Sequence, residues 1–198
     1  MRVIGFTGGV GSGKTQALSY IKEKYNCRVI LADEVAHWVK EPGQACYGAL
    51  VRLLGEDVLA KDGRIDRGVM AERIFADGEL LKAVNGLIHP AVKDYILDAV
   101  RQAREEDKPD FLFVEAALLI EDGYESILDE LWYIYAPEAV RRERLKASRA
   151  YSEEKIAGIL ARQLSEEEYR KHCKVVIDNG GSLMATYGQI DRELEECL

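Results

Sequence analysis

Five contiguous apolar runs punctuate the chain: RVIGF at 2–6, RVIL at 28–31, FLFVEA at 111–116, LWYIYA at 131–136 and KVVID at 174–178. Between them the apolar residues fall at helical spacing, as at Ala17, Leu18, Ile21 and Tyr25 after the first run. Strands alternating with helices predict an α/β domain with a five-stranded parallel sheet covered on both faces. One gap is too long for a simple crossover, which needs only a dozen or so residues. The stretch 33–110 reads as several helices: EVAHWVK, QACYGALVRLLG, RGVMAERIFA, GELLKAVNGLI and PAVKDYILDAVRQAREE. A second helical insertion runs from Pro137 to about His172.

Between the first strand and the first helix stands FTGGVGSGKT, residues 6–15. Gly8, four further residues and then Gly13-Lys14-Thr15 fit the phosphate-binding loop G-x-x-x-x-G-K-[ST], in the strand–loop–helix context that the motif requires. Glycines let successive backbone N–H groups turn inward around an anion, and the helix N-terminus adds partial positive charge there. The expected nucleotide contacts are Gly9, Val10, Gly11, Ser12, Gly13, Lys14, Thr15 and Gln16. Lys14 reaches the outer phosphates, and the Thr15 hydroxyl is the candidate ligand for Mg²⁺. The predicted fold is therefore the three-layer P-loop NTPase type, with a helical acceptor-binding insertion and a helical lid.

Two insertions on such a core point to a phosphotransferase that excludes water from the transferred group. The second insertion carries Arg141, Arg142, Arg144, Arg149, Arg162 and Arg170. Arginines stabilise the spread charge of a transferring phosphoryl group. The competing reading is a solvated helix face paired with Glu138, Glu143 and Glu153. The whole chain, 1–198, reads as one domain: a nucleotide core at about 1–33, 107–136 and 173–198, an acceptor region at about 34–106 and a lid at about 137–172.

Composition changes this picture little. Of 198 residues, 47% are hydrophobic and 31% charged, as in ordinary globular proteins. The net charge of −8 argues against a nucleic-acid surface as the default. Cys27, Cys46, Cys173 and Cys197, with His37, His89 and His172, show no zinc-like spacing, and reduced thiols in a cytoplasmic protein are expected. Glycines interrupt the N-terminal apolar run, so no secretory leader is expected. No apolar run approaches the roughly 18 residues of a membrane span. The expected partners are small molecules, with the chain acting as a monomer.

Beyond the loop, a set of segments occurs in one order: GFTGGVGSGKT, LADEVAHWVKEPG, DGRIDRGVMAERIFAD, LIHPAV, ALLIE and ARQLSEEEYRKHCKVVIDNGG. The chain resembles the bacterial dephospho-coenzyme A kinases over essentially its whole length. The resemblance implies transfer of the ATP γ-phosphate to the ribose 3′-hydroxyl of dephospho-CoA, with Mg²⁺, as the final step of CoA synthesis. It also implies roles. Asp33 matches a carboxylate that accepts the hydroxyl proton, although as a residue it also reads as an N-cap for EVAHWVK. Leu31 replaces the first aspartate of the family's D-A-D pattern. Glu115 matches an acidic position, usually aspartate, that serves a metal-bound water or caps a helix. Ala117 replaces the family's usual proline, while Glu121 matches the glutamate that closes that motif. His89-Pro90 matches a dipeptide on the acceptor side, and it equally suits a capping histidine before an N1 proline. In the lid, Arg144 and Arg149 match catalytic arginines, with Arg149 one residue later than the family's R-L-x-x-R. Asn179 and Gly180 match the loop bordering the adenine. Arg64, Arg67, Arg73 and Lys93 are candidate partners of the acceptor diphosphate.

Rival functions are a nucleoside monophosphate kinase of the same architecture and a nucleotide-dependent switch. A GTPase switch would carry N-K-x-D, which the sequence lacks, and the only D-x-x-G, Asp178 to Gly181, lies near the C-terminus.

Overall fold

The computed structural model describes residues 1–106, 108–116 and 118–197. Ala117, and with it the question of the missing proline, lies outside the described residues. Five strands, β1 (Arg2–Thr7), β2 (Cys27–Leu31), β3 (Phe111–Glu115), β4 (Glu130–Tyr135) and β5 (Val175–Asp178), form one sheet in the order β2-β3-β1-β4-β5. β1 pairs in parallel with β3 and with β4, and β4 pairs in parallel with β5. The chain leaves β1 toward one edge and later crosses to its other side with β4. Winding thus reverses beside β1, and the loop after β1 opens at the carboxyl end of the sheet, where ligands bind in such folds.

The chain divides into two compact units, Met1–Val29 with Ala103–Leu198, and Ile30–Gln102. In the first, Phe6, Phe113 and Trp132 are fully buried and meet at ring centroid distances of 6.0 to 6.5 Å. Helix α1 (Lys14–Lys24) buries Ala17, Leu18 and Ile21. Near the C-terminus, α9 (Leu183–Glu195) is tied to α1 through Asp191, which accepts from Tyr20 at 2.8 Å and Tyr25 at 2.7 Å and pairs with Lys24 at 2.7 Å. The insertion after β4 forms α6 (Glu138–Arg149), α7 (Glu153–Leu160) and α8 (Glu166–His172). Ser152 and Ser165 cap α7 and α8 by accepting from the backbone three residues on.

The second unit holds α2 (Ala32–Trp38), α3 (Tyr47–Leu54), α4 (Arg67–Ala76) and most of α5 (Gly78–Glu106). Asp66 and Asp77 each accept from backbone N–H groups two and three residues on, which starts α4 and α5. The expectation of separate helices at 78–88 and 90–106 is corrected here. One 29-residue helix runs through Pro90, so Pro90 is not at a first helical position and His89 is not a cap. An interior proline costs about 3 kcal/mol, because it lacks the N–H and its ring crowds the carbonyl four residues back. Here that residue is Gly86, which is exposed. Meanwhile Val84, Ile88, Val92, Ile96 and Val100 form an unbroken buried stripe through the proline, at about 1.5–3 kcal/mol for each large side chain. Burial outweighs the kink.

At the amino end of the sheet, Glu130 is 6% exposed and ties three strands together. It accepts from Arg2 at 2.7 Å, Lys174 at 2.8 Å and the Trp132 indole at 3.1 Å. Burial works against its ionisation, but the hydrogen bonds and the two cations prevail and hold its carboxyl below the usual glutamate value. A lowered folded-state pKa contributes stability that is present above the unfolded value of about 4.3 and is lost as pH falls through the folded value. Glu130→Gln should therefore lower the melting temperature at pH 7, and the difference from wild type should shrink below about pH 4. Melting curves across pH 3–8 test this; a difference that does not change with pH would reduce Glu130 to a packing group.

Candidate active site

The loop 8–13 joins the end of β1 to the start of α1. Ser12 N–H bonds Gly9 O at 3.1 Å, and Gln16 and Ala17 N–H bond Gly13 O at 3.1 and 3.2 Å. No side chain caps α1, so its first-turn amides remain suited to an anion. Gly13 has φ +94°, and a Cβ there would stand 2.1 Å from Asn179 Nδ2. Only glycine fits both constraints.

Asn179 is 1% exposed. Its amide donates to Ser12 O at 2.7 Å and accepts from Thr186 Oγ1 at 2.9 Å, while its backbone N–H bonds Tyr135 O at 2.7 Å. Its carbonyl accepts from Arg144 Nη2 at 2.8 Å. Arg144 Nη1 continues to Ser12 O at 3.2 Å and Gly11 O at 3.5 Å. Asn179 and Arg144 thus hold the carbonyl side of the loop, leaving its N–H groups to a ligand. Gly180 packs on Pro137, where a Cβ would come within 2.5 Å. This geometry gives Asn179 and Arg144 the work of positioning the loop.

Lys14 folds back over the loop: Nζ donates to Gly8 O at 2.7 Å and lies 3.6 Å from Glu115 Oε1, at the end of β3. Glu115 therefore acts as the counter-charge of Lys14. The Thr15 side chain is exposed on the second residue of α1, and its backbone carbonyl accepts from Ser19.

The lid arginines separate by face. Arg141 and Arg144 are three residues apart on α6, hence on one side of it. Arg141 Nη1 bonds Gln163 Oε1 at 2.9 Å and lies over the loop, 2.1 Å from where a Cβ on Gly9 would be. Arg142 turns away to Glu138 at 2.7 Å and Glu153 at 2.8 Å, and Arg170 pairs with Glu166 at 2.8 Å. For these two the solvated-face reading holds. Arg149 is exposed at the end of α6, with its guanidinium 5.9 Å from the Tyr151 ring centroid. Arg141 also lines a cavity of about 290 Å³ with Tyr133, Tyr135, Gln163, Glu166 and Tyr169. Burial raises both Tyr133 and Tyr169, the latter to about 12, so both phenols are neutral donors at physiological pH. Thr7 Oγ1, Ser12 Oγ and Arg141 Nε are buried without a partner among the described residues. Each such group costs about 1–3 kcal/mol, a cost that marks sites reserved for a ligand.

In the Ile30–Gln102 unit, Asp33 is exposed at the second position of α2, whose N-cap is Leu31. The N-cap reading of Asp33 is thus overturned. Its side chain stands in the first turn, where the helix dipole favours a carboxylate. His89 is half-buried within α5.

With this geometry established, comparison with known proteins becomes informative. The family model for dephospho-CoA kinase matches residues 2–185. The chain belongs to the dephospho-CoA kinase family. It is 35% identical to the dephospho-CoA kinase of Geobacter sulfurreducens over 99% of this chain and 96% of that one. It is 33% identical to that of Symbiobacterium thermophilum over 96% of this chain and 79% of the other. A Thermus thermophilus crystal structure superposes with a TM-score of 0.80 at 30% identity, covering 98% of this chain and 97% of that one. The dephospho-CoA kinase of Campylobacter jejuni shares the fold, with a TM-score of 0.75 at 23% identity over 98% and 96% of the two chains.

In this dephospho-CoA kinase family member the sequence presents Arg141 only as one of six lid arginines and gives Gln163 no role. The i, i+3 spacing of Arg141 and Arg144 was an available signal, whereas Gln163 offered none, since its partner is 22 residues away. Arg144→Ala should lower stability by about 1–3 kcal/mol through the lost carbonyl contacts and weaken nucleotide affinity in parallel. Thermal melting and nucleotide titration check this. Unchanged melting with a lowered kcat would instead give Arg144 a role in the chemical step alone.

Proposed function

We infer that the protein phosphorylates dephospho-CoA, the family's reaction and the final step of CoA synthesis, using ATP and Mg²⁺. The observation that carries this reading is the family match from residue 2 to 185 on a chain whose phosphate loop is folded and braced. In the proposed reaction the ribose 3′-oxygen attacks the γ-phosphorus, the bond to the ADP oxygen breaks, and its electron pair leaves with ADP. Asp33 accepts the hydroxyl proton, so the nucleophile gains charge only as the new bond forms. Lys14 exchanges Gly8 O and Glu115 for the nucleotide phosphates. Arg141 offers its unpartnered Nε to charge developing above the loop. Gly9, Val10, Gly11, Ser12, Gly13, Thr15 and Gln16 are assigned to the nucleotide, with the N–H groups of Ser12 and Gln16 already turned to Gly9 O and Gly13 O; His89 is assigned to the acceptor side and Arg149 to the lid.

The donor set suits magnesium. The hydroxyl of Thr15 and the carboxylate of Glu115 are hard oxygen groups, and Mg²⁺ takes one or two of these together with phosphate oxygens. Bound there, the ion would neutralise phosphate charge; Thr15 would ligate it directly. Among the described residues no helix is long and apolar enough to cross a membrane, and the four cysteines are free thiols.

Two measurements test the reading. ADP release at saturating ATP and Mg²⁺ should be far faster with dephospho-CoA than with AMP, adenosine or shikimate, because binding energy from the diphosphate and arm positions the 3′-hydroxyl. If AMP or shikimate serves as well, only the kinase fold stands. Asp33→Asn should lower kcat on the order of 10²–10⁴ with an unchanged melting temperature; retained turnover would remove Asp33 from the chemistry.

A further inference from the structure

Within the Ile30–Gln102 unit, three basic side chains gather around one small pocket lined by a single carboxylate. His37, Lys40 and Arg67 line it with Glu41, Ile65 and Met70. His37 and Lys40 come from α2 and the turn that extends it, since Val39 N–H bonds Val35 O, Lys40 N–H bonds His37 O and Glu41 N–H bonds Trp38 O. Arg67 is the first residue of α4. The nearby carboxylates have other partners as well: Glu41 pairs with Arg64 at 3.2 Å, Asp66 accepts from Gly68 and Val69, and Asp33 and Glu41 offset only part of the charge around His37. No hydrogen bond or ion pair joins the side chains of His37, Lys40 or Arg67 to any described residue. Burial, and then the neighbouring cations, push Lys40 and His37 toward their neutral forms. Such a cluster opposes folding and is relieved by an anion.

The other expected basic partners differ. Arg73 donates to Leu54 O and Asp57, and Arg64 is held by Glu41 and Asp62. Of the expected partners Arg67 lines this pocket, with His37 and Lys40, and the register of the latter two on α2 and its extension is informative. Asp33, His37 and Lys40 lie at i, i+4 and i+7, one stripe of the helix. Neighbours on such a stripe are about 5–6 Å apart at Cβ. In a nucleotide the 3′-hydroxyl and the 5′-phosphate lie on opposite sides of one ribose, a separation of the same order.

We propose that the His37–Lys40–Arg67 pocket holds the 5′-diphosphate of the acceptor and thereby sets its 3′-hydroxyl against Asp33, one helical turn away. The proposal rests on the functional reading above and deepens it. It makes the diphosphate, more than the pantetheine arm, the group that selects the acceptor.

The test is steady-state kinetics of Lys40→Gln and Arg67→Gln, with the melting temperature of each ligand-free protein. Each variant should raise KM for dephospho-CoA roughly tenfold or more, the equivalent of one charge-assisted hydrogen bond. KM for ATP should stay within about twofold of wild type, and melting should hold or rise because a mutual repulsion is relieved. An unchanged KM for dephospho-CoA overturns the proposal. So does a rise in that KM accompanied by lower melting, which would make the residues structural. A wild-type protein that fails to phosphorylate dephospho-CoA refutes the functional reading instead, so the two failures are distinguishable.

Discussion

The site depends on one buried amide pressed against a glycine. Asn179 sits 2.1 Å from where a Cβ on Gly13 would be and donates to Ser12 O at 2.7 Å. That contact fixes the peptide planes at the end of the loop, and a peptide whose carbonyl is held on one side must aim its N–H groups to the other. Arg144 extends the same hold to Gly11 and Ser12. Thr186 fixes the Asn179 amide from α9, and α9 is in turn fixed to α1 through Asp191. The last helix of the chain thereby determines the shape of the first loop. At the other end of the sheet, Glu130 aligns the starts of β1 and β4 and the approach to β5, whose far ends carry the loop, the lid and Asn179.

The sheet and the loop were legible because their signals are local. A parallel strand buried on both faces appears as a run of apolar residues, and the loop as glycines at fixed offsets. Pro90 misled because helix interruption is a propensity argument. The Val84–Val100 stripe overrode it through tertiary burial. Asp33 was read as a possible cap because helix starts shift by a residue or two from sequence. Asn179 was located correctly along the chain, but its orientation was not legible, since its partners lie at Ser12 and Thr186.

The arginines illustrate why counting charges says little. Arg141, Arg142 and Arg144 are close in sequence, yet Arg142 meets two exposed glutamates, Arg141 meets Gln163 and Arg144 meets loop carbonyls. An exposed pair of the Arg142 kind contributes at most about 1 kcal/mol. A buried guanidinium nitrogen without a partner, as at Arg141, opposes folding. The informative arginine is therefore the one the folded state does not satisfy.

The same logic links two places described separately, the phosphate loop and the basic pocket on α2. Lys14 is satisfied by Gly8 O and Glu115, so it must give up partners to meet a phosphate. Lys40 is pushed toward its neutral form by burial and by Arg67, against a smaller pull from Glu41, so it gains from an anion. A substrate that meets Lys14 displaces existing contacts, which moderates its affinity; one that meets Lys40 relieves strain already present in the fold. For a transferase handling two anionic substrates, this asymmetry has a use. The pocket that recognises the acceptor discriminates by charge at little cost in reorganisation. The loop that holds the donor keeps its lysine occupied until a phosphate replaces its present contacts.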